Sequence, residues 1–357
     1  MHSEDYGRLW LLSRYEDVRQ AALDWQTYTS SVVGVTAIPV ITPRTEPQLP
    51  IELDPPLHSR YRALVNPVFS AKRIEELRPV ITGIVDELIG ELLAKGQADL
   101  VADYAGPLSV RTLAAFTGLP LEDSHFWVAW INRMFNVHDR EDGRRAGAEF
   151  GEYIKGLIAQ RRQQPTGDFI SLLIQSEVEG HGLSDKEIHS FCTVVFGAGF
   201  ETTADVLSVT LHYLAEYKEA WEQLKAHPEL VPTAVEEFLR LISPIQIFGR
   251  NTTKELELHG RTIPKGDVVA LGFGSANHDP SVFAEPERCV LNRSPNRHLA
   301  FGAGVHLCLG APVARLELST TLTRFCERVS NIKIAGPVEW KTRGDRRGIA
   351  KLPVVIG

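Results

Sequence analysis

The stretch from Ser184 to about Tyr217 constrains this chain more than any other. Ser184-Asp185-Lys186-Glu187 has the S-x-x-E spacing in which serine and glutamate each satisfy the other's backbone amide, which opens a helix. The helical signal then continues for ~30 residues, roughly 45–50 Å at 1.5 Å per residue. Ile188, Phe191, Val195, Ala198, Thr202, Val206 and Val209 recur three or four apart on one face, and Thr202 is the polar member. Such a helix is long enough to cross a domain. Its apolar face is thinnest in Gly197-Ala198-Gly199-Phe200-Glu201-Thr202-Thr203. Glycine in a helix interior costs about 1 kcal/mol against alanine, and threonine hydroxyls bond back to carbonyls, so a bend or local opening is expected there. Two readings follow. Either another helix packs closely on the small residues, or a flat ligand lies against them with Glu201 and Thr202 handling protons beside it.

The rest of the chain divides by pattern. Residues 32–57 hold six prolines among apolar residues and predict irregular backbone of the kind that is often functional. From about 58 to 245 the signal is mostly helical, as in Ile74 to Leu93 with Ile81, Ile84, Val85, Leu88 and Leu92 on one side. Beyond 245 it becomes short and strand-like. Leu256 to Ile263 alternates and turns at Gly260, Val268–Leu271 is a buried-strand candidate, and a last helix is expected from about Ala311 to Val329. No repeat or linker divides residues 1–357, so one mainly α domain with small β-sheets (α+β) is expected despite a length that first suggests two.

Composition excludes several classes. The formal charge of -7 argues against a nucleic-acid partner. Cys192, Cys289, Cys308 and Cys326 form no C-x-x-C pair, zinc knuckle or covalent haem-attachment motif. The start has no basic-then-apolar signal peptide, and no apolar run approaches the ~18 residues of a membrane span, so a cytoplasmic chain without a membrane partner is expected. Gly197-x-Gly199, Gly272-x-Gly274 and Gly302-x-Gly304 all lack the third glycine of a dinucleotide fingerprint. H-E-x-x-H and G-x-S-x-G are also absent.

The strongest local signal is Phe301-Gly302-Ala303-Gly304-Val305-His306-Leu307-Cys308-Leu309-Gly310, a cysteine held between glycines just before a helix. Glycine lets backbone approach a bulky partner closely. Amides at a helix N-terminus favour an anion, and such a setting lowers a thiol's pKa. A buried structural cysteine, or a protease-like nucleophile with His306 as base, are the alternatives from the residues alone. The loop F-G-x-G-x-H-x-C-x-G resembles the haem-binding loop of the soluble bacterial cytochrome P-450 family. Three further segments resemble that family in the same order. They are Ala198-Gly199-Phe200-Glu201-Thr202 (its acid–alcohol pair), Glu237-Phe238-Leu239-Arg240 (its E-x-x-R) and Phe283 to Arg288 (its proline–arginine segment, completing a Glu–Arg–Arg cluster). E-x-x-R occurs five times here, at Glu16, Glu75, Glu141, Glu237 and Glu285; Glu237–Arg240 alone has the family's context.

The resemblance implies a fold in which haem b lies, non-covalently, between the long distal helix and the proximal cysteine loop and its helix. It implies Cys308 as the metal ligand, and His58, Arg62, Arg250 and His306 around the haem propionates. Ala198, Phe301 and Gly310 would also contact the haem, with Glu201 and Thr202 as the catalytic pair. It implies a monooxygenase that uses O2 and NAD(P)H-derived electrons, brought through a ferredoxin or flavodoxin and its reductase, to hydroxylate or epoxidise a small apolar organic substrate. A basic patch of Lys72, Arg73, Arg62 and Arg315 is the expected docking face, and a monomer is expected. Val194, Ala198, Ile245, Ile247 and Ile349 are the candidate substrate contacts, with the loop Val35–Ile41, Phe248, and Thr36 and Gln246 as hydrogen-bond donors. A hydrogen-peroxide-using peroxygenase of the same fold is the second reading, disfavoured because Glu201–Thr202 is present, and a non-catalytic haem-binding protein is the third. Cys289 and His278 stand where the family usually has phenylalanine and arginine. The segment from Trp10 to Val18 normally follows several dozen residues in the family, so a short N-terminal part is expected.

Overall fold

A computed structural model describes residues 2–3, 9–38, 45–134, 139–342 and 344–357. The capping box at Ser184 forms as the spacing predicts, and the long helix runs Asp185–Glu216. It is helical throughout residues 197–203, so the expected local opening does not occur. Thr202 Oγ1 donates to the Ala198 carbonyl at 2.8 Å without breaking the ladder. Gly199 has a packing reason, since a β-carbon there would sit 3.2 Å from Leu113 Cδ1 on the helix Gly106–Thr117. One correction concerns the membrane criterion. This helix does contain an 18-residue window of mean hydropathy 1.3, but 67% of that window is buried inside the protein, as a core helix should be.

The long helix joins two apolar clusters. Its first half, Ile188 to Phe200, packs with Trp127, Phe150, Ile154 and Phe169. Its second half, Ala204 to Leu214, packs with the helices Ala71–Lys95, Val231–Ile242 and Ala311–Arg328. Between the clusters lies the thin part of the face that the sequence marks: Ala198 is exposed and Val194 and Thr202 are half-buried.

The small strands form a five-stranded sheet in the order His2–Ser3, Leu9–Leu12, Val268–Gly272, Ile247–Thr252, Tyr28–Thr29. Val268–Gly272 runs parallel to Leu9–Leu12 and antiparallel to Ile247–Thr252, with Val269 opposite Arg250. Buried on both faces, it is the apolar strand that its composition predicts. The hairpin Leu256–Leu258 and Arg261–Ile263 turns at His259-Gly260. The proline-rich loop is irregular where described, and Pro39–Ile41 of the expected substrate loop lie outside the described residues.

Candidate active site

The cysteine loop is a short 3-10 turn, Gly304–His306, between two left-handed glycines and the helix that begins at Ala311. Gly302 and Gly304 have φ of 71° and 70°. Gly304 has a second reason to be glycine, because a β-carbon there would lie 2.7 Å from the Ala22 carbonyl oxygen. The Cys308 amide donates to the Phe301 carbonyl at 2.9 Å, which folds the loop back on itself. The amides of Gly310 and Ala311, at the start of the helix that follows, act to lower the thiol's pKa. Burial nevertheless raises the thiol's pKa, and those amides with Arg62 and Arg315 only oppose that rise. A bound cation, such as a metal, would tip the balance to the thiolate.

Around the loop stand His58, Arg62, Arg250 and His306, which the fold does bring together. The rings of His58 and His306 are 4.4 Å apart. Arg62 braces the loop by donating to the Val305 and Leu307 carbonyls. Arg250 is 4% exposed and donates to the Gly249 carbonyl. Burial, then the charges of His306 and Arg62, brings the His58 pKa down to about 4. Burial likewise brings Arg250 down to about 10. Asp54, which sequence reasoning passed over as a site residue, is the acid set against them, 4.0 Å from His306. Among the described residues, His58 Nδ1 and Nε2 and His306 Nε2 are buried without a hydrogen-bond partner. A cavity of about 220 Å³ lined by His58, Ser59, Arg62, Asn66 and Val305 opens beside them. Unsatisfied imidazole nitrogens on His58, the buried Arg250 guanidinium, the half-buried Arg62 and a thiol beside them complement a metal-centred group that carries carboxylates, so the residues fit haem.

On the other side, Glu201 is buried and paired with Arg346 at 2.5 Å. Arg346 sits far along the chain and carries no motif, so no sequence signal pointed to it. Ile245 is half-buried and bridges to Arg346, and Ile247 is half-buried on its strand. Several expectations are corrected. Ile349 is 0% exposed in the main apolar cluster, because its strand turns it inward; it is a core residue. Gln246 Nε2 is committed to the Ile242 and Ser243 carbonyls, and Thr36 Oγ1 to Glu52, so neither donor is free for a ligand.

The third member of the proximal cluster is Arg293 rather than Arg288. Arg293 Nε lies 3.0 Å from Glu237, while Arg288 pairs at the surface with Glu285 and offers only its carbonyl to Arg240. The supposed basic patch is partly neutralised. Arg315 makes a two-toothed pair with Glu236 and lies over Phe301, and Arg73 pairs with Glu76. Burial works to raise Glu236, but Arg315 and His298 hold it at about 2.

The fold thus gathers a cysteine just ahead of a helix N-terminus, two arginines and two histidines beside it, and an adjacent acid and alcohol on the long helix. The comparisons agree. The cytochrome P450 family model matches residues 121–331. The chain is 38% identical over 309 residues to the polyketide biosynthesis cytochrome P450 PksS of Bacillus subtilis, covering 85% of this chain and 76% of that one. It is 35% identical to the mycinamicin IV hydroxylase/epoxidase of Micromonospora griseorubida, covering 98% and 90%. The solved structure of a carbohydrate-active P450 superposes with a TM-score of 0.90 at 31% identity, covering 100% and 94%. The chain belongs to the cytochrome P450 family and is a haem-dependent monooxygenase.

Proposed function

We propose that Cys308 is the thiolate ligand of a haem b iron and that His58, Arg62, Arg250 and His306 hold its propionates. Ala198, Phe301 and Gly310 border the same group. The observation that carries this reading is the buried His58 ring, neither of whose nitrogens has a hydrogen-bond partner, packed beside His306 of the cysteine loop. When bound, the haem supplies oxygen activation and the insertion of one oxygen atom into a C–H bond or a double bond. The chain's own residues do the rest. Gly310 and Ala311 amides steady the sulfur, Arg62 keeps the loop in register, and the Thr202 hydroxyl holds a proton between the Ala198 carbonyl and the reaction space. Glu201 supplies protons to it. In a Thr202→Ala variant, product formed per NAD(P)H is expected to fall by about an order of magnitude while hydrogen peroxide is released. Unchanged coupling would remove Thr202 from this role.

The substrate is apolar. Val194, Ala198, Ile245, Ile247 and Phe248 are the partly open apolar side chains that support this. Relatives named for polyketide biosynthesis and for mycinamicin IV point to a polyketide-like compound of secondary metabolism. Electrons reach this cytoplasmic, monomeric enzyme from a ferredoxin or flavodoxin and its reductase. Arg62 is committed to the cysteine loop and Arg315 to Glu236, whereas Arg73 has only an exposed pair with Glu76, so Lys72 and Arg73 are the docking residues that matter. The double reversal Lys72→Glu and Arg73→Glu is expected to slow reduction and flatten its salt dependence, read by stopped-flow at two ionic strengths. Parent-like kinetics would place docking elsewhere.

A further inference from the structure

Asp205 has no part in the chemistry described so far, yet it lies one turn beyond Glu201 on the same helix, and side chains four apart share a face. It is 1% exposed. Lys341 Nζ sits 2.6 Å from its Oδ1, and among the described residues no hydrogen bond of ordinary geometry reaches either oxygen. Gly348 presses on the carboxylate; a β-carbon there would lie 2.1 Å from Oδ1. Lys341 and Arg346 belong to one hairpin tip, closed by the Lys341 amide donating to the Gly348 carbonyl at 2.9 Å. The tip thus sets a cation on each acid. Lys341 covers Asp205 with 23% of its side chain exposed, and Arg346 covers Glu201 with 8%. The two pairs form a ladder from the protein's surface to the acid–alcohol pair.

Oxygenation of R–H by O2 to R–OH and water takes up two electrons and two protons, so a buried site needs a proton supply. We propose that Asp205, with Lys341 as its movable cover, is the outer stage of proton delivery to Glu201. The inference rests on the role given to Glu201 and Thr202 above. Water protonates the Asp205 carboxylate, forming an Oδ–H bond. That proton passes along the shared helix face to Glu201 Oε, and Asp205 is left ionised as it began. Charge balances over the cycle, and no further oxidant or reductant is needed. Burial pushes the Asp205 carboxyl up to about 6 against the pull of Lys341 and Arg346, and Glu201 adds to the rise. The group therefore exchanges protons near neutral pH. Lys341 is a positioning residue.

The test uses the haem-loaded protein and two readouts. By infrared titration without turnover, Glu201→Gln is expected to lower the midpoint of the Asp205 carboxyl by about one pH unit, and Lys341→Met to raise it. An Asp205 midpoint that ignores Glu201→Gln overturns the ladder. In turnover, Asp205→Asn is expected to slow the O2- and NAD(P)H-driven reaction about tenfold with an enlarged solvent isotope effect. Oxidation driven by hydrogen peroxide, which brings its own protons, stays at the parent rate. Equal loss in both reactions means a structural role and overturns the proposal. A parent-like Asp205→Asn enzyme beside an uncoupled Thr202→Ala enzyme overturns the outer stage alone, whereas full coupling in Thr202→Ala overturns the inner pair as well.

Discussion

Glu237→Ala is expected to cost about 3–5 kcal/mol, because it strands buried cations rather than merely removing a contact. Glu237 and Arg240 both have side chains of 0% exposure. Two guanidiniums converge on that carboxylate: Arg240 at 2.8 Å and Arg293 at 3.0 Å. It also accepts the Val290 amide at 2.8 Å and Asn296 Nδ2 at 3.2 Å. Arg240 in turn donates to the carbonyls of Asn277, Pro286 and Arg288, so it pins the irregular segment that leads toward the cysteine loop. With the carboxylate gone, these donors and charges stay buried without compensation. A loss of that size is a large share of the ~5–15 kcal/mol that holds a typical domain folded. Denaturant titration of the parent and the variant, followed both by circular dichroism and by retained haem, measures it. Glu75→Ala is the control. Its E-x-x-R partner Arg78 lies on an exposed helix face, so no change in the midpoint is expected. A Glu237→Ala protein as stable as the parent would show that the cluster is not structural.

The second large effect is spectroscopic. Reduced protein under carbon monoxide is expected to show the red-shifted Soret band of thiolate-ligated haem. Cys308→Ala is expected to lose it, and oxidation of any substrate should fall to background. The reasoning is local. Of the four cysteines, Cys192 is fully buried in an apolar cluster, and Cys289 and Cys326 are partly buried against the other. Among the four, Cys308 alone is exposed and lies just ahead of a helix N-terminus, with the amides of Gly310 and Ala311 and the charges of Arg62 and Arg315 acting to lower its pKa. A metal bound at the sulfur holds it as the thiolate, so the band reports ligation. Folding should survive the substitution, since the Phe301 carbonyl is bonded by the backbone amide of residue 308 and not by its side chain. Cys192→Ala, by contrast, should keep the band and lose some stability to a small cavity. Retention of the band in Cys308→Ala would move the ligand elsewhere.

How much of this was legible beforehand follows the range of the interactions. The long helix was readable to within a residue, because its capping box and its three-and-four spacing are local properties of a contiguous segment. The cysteine loop was readable because its glycines answer to local torsion angles and to a nearby backbone. The helix Ala311–Arg328 and the hairpin at Gly260 were likewise local. Ile349, expected from the resemblance to face the substrate, is instead a core residue, because which face of a short strand turns inward is settled by packing with distant segments. The resemblance pointed to the segment ending at Arg288, and Arg293 lies only five residues further on; only the bend of the chain decides which guanidinium turns inward.

The sequence alone therefore determined the helix-rich class, the thin place in the long helix and the identity of the cysteine, since each depends on residues adjacent along the chain. Tertiary structure decided which charges meet. The pairing of Arg346 with Glu201, of Lys341 with Asp205 and of His306 with Asp54 joins residues 136 or more positions apart. Coulomb energy and desolvation depend on distance and burial in space, so no motif could carry them.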